Sequence, residues 1–132
     1  MWLAYLQKKL TVLAENRKYS SLSDEEYYIT SRTYTEKKAK EQGYDVKVAS
    51  MSAASVPKSK VLGHLVGLYK AIVDSKTDKI LGATLYGEQS HEVINIISLA
   101  IDMGATYQVL RDKIYTHPTM AEGLNDLFGM IK

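Results

Sequence analysis

The chain's clearest potential for chemistry lies in the segment Tyr115-Thr116-His117-Pro118-Thr119-Met120-Ala121-Glu122, where a histidine precedes a carboxylate by five positions. A histidine that a carboxylate orients can take up and return a proton near neutral pH, because a free imidazole titrates at about 6.5. The same spacing also allows a capping box from Thr119 to Glu122, in which the carboxylate would only satisfy a helix N-terminus. These two interpretations compete for one carboxylate, and we expect Glu122 to contact a surface-exposed His117 imidazole.

The two other histidines are weaker candidates. His91 follows Ser90 and precedes Glu92, a position typical of a surface residue in the first turn of a helix. His64 lies in an apolar stretch with no acidic neighbour in the sequence. The spacing of the histidines lacks a metal-binding pattern such as His-x-x-x-His, so we expect no zinc site.

The composition excludes several further kinds of site. The chain has no cysteine, which excludes a disulfide framework, a thiolate metal site and a redox-active thiol pair within it. The sequence contains neither Gly-x-Gly-x-x-Gly nor a phosphate-binding loop, so we expect no cofactor bound to this chain alone. Any dithiol chemistry must therefore come from outside this chain.

Length and composition are typical of a single globular domain, which we expect to be cytoplasmic because its N-terminus does not have the pattern of a signal peptide. The 132 residues are 45% hydrophobic and 24% charged, and the net charge is +2 with scattered basic residues. Nucleic-acid binding needs a concentrated basic face, so we expect no nucleic-acid partner. Lys8 and Lys9 interrupt the apolar N-terminus, which argues against a signal peptide or membrane span.

Periodicity places the following elements in the first half of the chain. Leucines at helical spacing predict an amphipathic helix over residues 3–15, followed by a polar connector over residues 16–26. A strand is predicted at residues 27–30, and Thr35 is expected to cap a short helix that Gly43 ends. Further predictions are an alternating strand at residues 44–51 and an irregular crossing or edge at residues 52–60.

The second half contains a predicted hairpin and three helical stretches. Residues 68–73 and 79–86 are β-rich runs joined by a short polar turn, which implies antiparallel pairing. Ser90 is expected to cap a helix with a broad apolar stripe, and shorter helices are expected to begin at Thr106 and Thr119. The order of elements predicts an α+β fold, a small mainly antiparallel sheet with helices packed on one face.

Several segments together resemble the C-terminal dimerisation domain of the pyridine nucleotide–disulfide oxidoreductases, the family of glutathione reductase and dihydrolipoamide dehydrogenase. The segments follow the family's order and spacing, and the resemblance covers roughly residues 35–132. The helix after Ser90 and the run Leu124-Asn125-Asp126-Leu127-Phe128 are most similar to the branch of hypothiocyanite reductases and reactive-chlorine-resistance flavoproteins. The matching segments are Thr-Glu-Lys-Lys-Ala-Lys-Glu-Gln-Gly-Tyr from Thr35, Leu68-Tyr-Lys-Ala-Ile-Val-Asp74, Lys79-Ile-Leu-Gly-Ala83, His91-Glu-Val-Ile-Asn95 and His117-Pro-Thr-Met-Ala-Glu122.

The resemblance implies a role for each residue of the His-Pro segment. It makes His117 the acid–base residue and Glu122 its orienting carboxylate, and it places Pro118 near the partner subunit's flavin, after a peptide bond that is commonly cis. It also implies a homodimer and, in an intact enzyme, FAD and NAD(P)H held by other domains. Residues 27–132 would form the dimerisation domain, preceded by the N-terminal helix and connector of residues 1–26.

Two functions are consistent with these observations. In the first, the chain is the dimerisation domain of such an oxidoreductase and supplies the His/Glu pair to a partner's redox-disulfide site, being inactive alone without a flavoprotein FAD/NAD(P)H partner. In the second, it is an independent, non-catalytic homodimeric interaction module, which the leucine stripe of residues 3–15 favours.

Overall fold

A four-stranded antiparallel sheet forms the centre of the protein. The structure is a computed structural model that describes the backbone of residues 28–132 and the side chains of residues 34–132. The predicted helix over residues 3–15 and the connector over residues 16–26 lie outside the described residues. In the sheet the strand order is β1-β4-β3-β2, and the strands are β1 (Tyr28–Thr33), β2 (Val46–Ser52), β3 (Gly67–Asp74) and β4 (Ile80–Gly87).

The described residues also form five α-helices, which confirm the α+β class. A short 3-10 helix, Ala53–Ser55, precedes the second of them. Among the described residues no helix combines the length and the apolar character needed to cross a membrane. The helices are α1 (Glu36–Glu41), α2 (Pro57–Leu62), α3 (Ser90–Asp102), α4 (Tyr107–Arg111) and α5 (Gly123–Gly129).

The main core lies between one face of the sheet and helices α3, α4 and α5. The buried side chains of Met51, Tyr69 and Leu85 lie side by side in the register of β2, β3 and β4. Leu124 and Phe128 of α5 are fully buried in the same cluster, and each contributes about 1.5–3 kcal/mol through burial. Helix α5 is therefore fixed firmly to the sheet, and it fixes the residues that precede it.

A smaller apolar cluster lies on the opposite face of the sheet, because successive side chains of a strand point to opposite sides. Ala39 of α1 packs there against Ile72 and Leu81. Thr35 caps this helix as predicted, since its Oγ1 accepts a hydrogen bond from the Lys38 N–H. The predicted hairpin is also confirmed, because β3 and β4 pair antiparallel across the short turn.

Three local predictions were wrong. Residues 52–60, expected to be irregular, contain the 3-10 helix and the start of α2, because Pro57 occupies the first turn, where its missing N–H has no cost. Ser90 is a buried residue inside α3, and Gln89 with φ 53° is the N-cap. The last helix begins at Gly123 rather than Thr119, because tight i→i+3 bonds shape the intervening turn.

Candidate acid–base site

The loop that carries His117 runs from the end of α4 to the start of α5 and is supported from both sides. The side-chain amide of Asn125, on α5, donates hydrogen bonds to the carbonyls of Arg111 at 2.7 Å and Lys113 at 2.8 Å. The Tyr115 hydroxyl donates to the Leu110 carbonyl at 3.2 Å, and burial raises the pKa of Tyr115 to about 12. These contacts hold the irregular segment in place ahead of the His117–Pro118 peptide bond, which is cis.

The structure brings His117 and Glu122 together. The His117 Nδ1 atom lies 2.9 Å from Oε1 and 3.0 Å from Oε2 of Glu122. The His117 side chain is 69% exposed, whereas that of Glu122 is only 17% exposed. The carboxylate thus lies against the protein while most of the imidazole faces outward.

The capping box is present as well. The Thr119 N–H donates to Oε2 of Glu122 at 2.8 Å, and the Glu122 N–H donates to Oγ1 of Thr119 at 3.3 Å. The expectation that the capping box and the histidine contact compete was therefore wrong. One carboxylate has several lone pairs, so it accepts from the backbone and from the imidazole at the same time.

The electrostatics of the pair indicate which ring nitrogen carries the hydrogen. The Thr119 N–H and, second, the His117 ring hold the pKa of Glu122 below its usual value, so the carboxylate is ionised at neutral pH. An ionised carboxylate only accepts hydrogen bonds, which requires Nδ1 of His117 to donate. In a neutral ring Nε2 then carries the free lone pair and can accept a proton.

The other two histidines lie elsewhere. His64 Nδ1 is 2.6 Å from Oε2 of Glu88, a contact that sequence reasoning missed because 24 positions separate the two residues. Only the fold brings this pair together, and no local pattern signals it. The Nε2 atom of His91 is 3.8 Å from Oε1 of Glu92 at an exposed position in the first turn of α3.

The described residues do not form a metal or dinucleotide site. Within residues 28–132 no group of three or more His, Cys, Asp and Glu side chains is placed to hold a metal ion. Dinucleotides bind where a parallel sheet meets a glycine-rich turn and a helix N-terminus, whereas every strand pair here is antiparallel. Residues 28–132 therefore lack the parallel-sheet arrangement of a doubly wound dinucleotide-binding fold.

The fold and this site define the class of protein. The model of the pyridine nucleotide-disulphide oxidoreductase dimerisation domain matches residues 27–128, so the chain belongs to that family. The resemblance of the sequence to this family is therefore confirmed, and so is the expected fold.

Individual relatives place the chain more narrowly. It is 47% identical over 98 residues to the probable pyridine nucleotide-disulfide oxidoreductase RclA of Escherichia coli K12, covering 74% of this chain and 22% of that protein. It is 40% identical over 90 residues to dihydrolipoyl dehydrogenase of Thermus scotoductus, covering 68% of this chain and 20% of the relative. The structure of the HOCl-induced flavoprotein disulfide reductase RclA from Escherichia coli matches with a TM-score of 0.77 and 44% identity, over 79% of this chain and 24% of that chain. The chain thus spans about a fifth of the length of these relatives.

Proposed function

We propose that this chain acts as the dimerisation domain of a flavin-dependent disulfide oxidoreductase and supplies the His117–Glu122 pair to the redox site of a partner subunit. The observation that carries the proposal is the geometry of the pair. Nδ1 of an exposed imidazole is held by a mostly buried, ionised carboxylate, which leaves Nε2 directed away from that carboxylate. Membership of the dimerisation-domain family supports the proposal that the partner is a subunit of such an oxidoreductase.

The proposed chemistry is proton transfer alone. His117 Nε2 accepts a proton from a thiol of the partner and returns it when a disulfide bond is broken, while Glu122 keeps the hydrogen on Nδ1 and stabilises the charged ring. Flavin and nicotinamide, when bound by other domains, supply the electrons. In the absence of those domains the chain has no thiol to act on, so we expect the isolated protein to be inactive and colourless.

A chimera tests this proposal directly. Residues 28–132 would replace the matching region of Escherichia coli RclA, and bound flavin would report that the chimera folds. We expect disulfide-dependent NAD(P)H oxidation, lowered about 10²–10⁴-fold by His117→Gln, the range for loss of a general acid–base group. His64→Gln is the matched control, because it removes the other imidazole that contacts a glutamate, and it should leave the rate unchanged.

Two results would overturn the proposal. One is a His117→Gln chimera that turns over as fast as the unsubstituted chimera. The other is a chimera that binds flavin and nicotinamide yet oxidises no NAD(P)H with disulfides.

The second candidate function is a non-catalytic homodimeric module. Exposed apolar side chains favour it: Leu65, Val66 and Leu68 are each about half exposed near the start of β3, and Val48 is partly exposed on β2. Single small domains rarely leave neighbouring apolar residues uncovered, which supports self-association. Sedimentation showing a dimer is expected for both functions, and His117→Gln separates them, because only the first requires the imidazole.

A further inference from the structure

The hydroxyl of Thr119 connects both sides of the His117 site. Its Oγ1 donates to the Thr116 carbonyl at 2.6 Å and accepts the Glu122 N–H at 3.3 Å. Thr116 directly precedes His117, and Glu122 contacts the His117 ring. One side chain therefore ties the chain ahead of the histidine to the residue that holds its ring.

The start of α5 does not need this hydroxyl. The N–H groups of Gly123, Leu124 and Asn125 already donate to the carbonyls of Met120, Ala121 and Glu122. A capping box ordinarily satisfies the first N–H groups of a helix. Here it joins Thr119 to Glu122, in the turn that precedes the first helical residue, Gly123. The contacts of Thr119 thus act on the turn between His117 and Glu122.

The Glu122 side chain needs such support to hold the imidazole in one state. A glutamate has three rotatable bonds, and an unrestrained carboxylate at the surface loses side-chain entropy when it is fixed. The Thr119 N–H anchors Oε2, and the Thr119 hydroxyl anchors the Glu122 backbone. Both restraints lower the entropic cost of keeping Oε1 beside Nδ1 of His117.

We propose that Thr119 is a positioning residue, whose hydroxyl fixes His117 in the Nδ1–H tautomer and so keeps Nε2 as the proton-accepting atom. This inference deepens the proposed function and rests on it for its biological meaning. It makes a physical statement about the isolated chain, however, which can be tested without turnover.

The test uses ¹⁵N NMR of the imidazoles in the full 132-residue chain, at a pH where the rings are neutral. The nitrogen shifts distinguish Nδ1–H from Nε2–H, and histidines with no partner at Nδ1 favour Nε2–H. We expect Nδ1–H to dominate for His117 in the wild type and the share of Nε2–H to rise in Thr119→Val, which keeps the backbone N–H but loses the hydroxyl. Thr119→Ser, which keeps the hydroxyl, should restore the wild-type shifts.

Two controls separate positioning from general loss of structure. Thr35→Val removes another cap hydroxyl, the one that accepts the Lys38 N–H, and should leave His117 unchanged. His64, whose Nδ1 also contacts a glutamate, should keep its shifts in every variant and reports intact folding. Thr119→Ala removes the hydroxyl without adding a methyl group and serves if Thr119→Val folds poorly.

The outcomes are distinguishable from those for the proposed function. Wild-type His117 shifts in folded Thr119→Val and Thr119→Ala would overturn the inference, as would a failure of Thr119→Ser to restore them. Unchanged His117 shifts in Glu122→Gln would instead show that the His117–Glu122 pair itself is absent, which contradicts the proposed function.

Discussion

Two histidine–glutamate pairs in this protein use the same ring atom in different surroundings. His64 Nδ1 lies 2.6 Å from Glu88 and His117 Nδ1 lies 2.9 Å from Glu122. The His64 side chain is 37% exposed, whereas that of His117 is 69% exposed. The two pairs therefore share the contact at Nδ1 and differ in exposure, and the His117 ring is the more open of the two to a second molecule.

The two pairs are also built differently. The pair of His64 and Glu88 joins the connection before β3 to the turn after β4, next to the close backbone approach of Gly67 and Gly87. The pair of His117 and Glu122 depends on side-chain hydrogen bonds within one loop. The first region is held by backbone pairing in the sheet, whereas the orientation of the second pair depends on polar groups of its own loop.

The largest expected effect on stability is that of Gly67→Ala, which disrupts the region around the His64–Glu88 pair and not the His117 loop. A Cβ at this position would lie 2.4 Å from the Tyr86 carbonyl oxygen, and φ is +149°, a conformation that L side chains rarely adopt. Backbone strain and overpacking together should lower the free energy of unfolding by about 2–5 kcal/mol in urea titrations. Gly43→Ala is the matched control, since φ is +86° with open space around it, and it should cost about 1–2 kcal/mol.

Equal losses for the two alanine variants would contradict the role assigned to the close approach at Gly67. If Gly67→Ala retains a folded population, its His117 tautomer should equal that of the wild type, because the two regions are supported by different contacts.

Asn125→Ala tests the support of the second region. The two N–H groups of its amide lie within hydrogen-bonding distance of three carbonyls, those of Leu110, Arg111 and Lys113. The loss of these hydrogen bonds should lower the free energy of unfolding by about 1–3 kcal/mol. Asn95→Ala is a control in another helix, because the Asn95 amide donates to the His91 carbonyl of its own helix rather than to a loop. It should change stability by no more than about 0.5 kcal/mol in thermal unfolding. A comparable change in both variants would show that the loop does not depend on Asn125.

Much of the fold could be predicted because its signals are local. The cap at Thr35 and the antiparallel hairpin each depend on residues close together in the sequence, and both are present. The 3-10 helix and α2 could not be read from periodicity, because both are short, and Val61 and Leu62 of α2 are exposed. The buried Ser90 was misassigned because the residue type that favours a cap also fits a close-packed first turn.

The candidate site could be predicted in part for the same reason. His117 and Glu122 lie five positions apart, so their contact is a property of one turn. The sequence did not show that Glu122 contacts both the Thr119 N–H and the His117 ring. A sequence motif assigns one role to a side chain, whereas an ionised carboxylate has several acceptor positions. The contact between His64 and Glu88 depends on the pairing of β3 with β4, which no local pattern contains.

Matched glutamine substitutions sharpen the contrast between the pairs. Glu88→Gln should lower the free energy of unfolding by up to about 1 kcal/mol, the range for partly exposed pairs, and change the ¹⁵N shifts of His64 alone. Glu122→Gln should change the shifts of His117 alone. Each variant is the other's control. A change in both histidines from either substitution would mean that the two regions are coupled.

The smallest expected effect is the acid dependence that Glu122 gives to stability. Its pKa is lowered in the folded state, first by the Thr119 N–H and second by His117. The unfolded chain therefore binds more protons than the folded chain below a pH of about 4.5, and stability falls as the pH falls through that range. In urea titrations from about pH 5 to about pH 3, the free energy of unfolding should fall less steeply with pH for Glu122→Gln than for the wild type.

The Thr119 N–H lowers the pKa of Glu122 more than His117 does, which predicts how His117→Gln behaves in the same urea titrations. Because the backbone N–H of Thr119 has the larger effect on the carboxylate, His117→Gln should retain most of the wild-type acid dependence. Glu36→Gln is a control at another carboxylate, whose pKa Lys40 and Lys70 lower to about 2, so that its contribution extends to more acidic pH. If His117→Gln flattens the titration as much as Glu122→Gln does, the imidazole rather than the backbone anchors the carboxylate. Glu122 would then resemble Glu36, which side-chain partners hold, and the capping box would have no part in orienting His117.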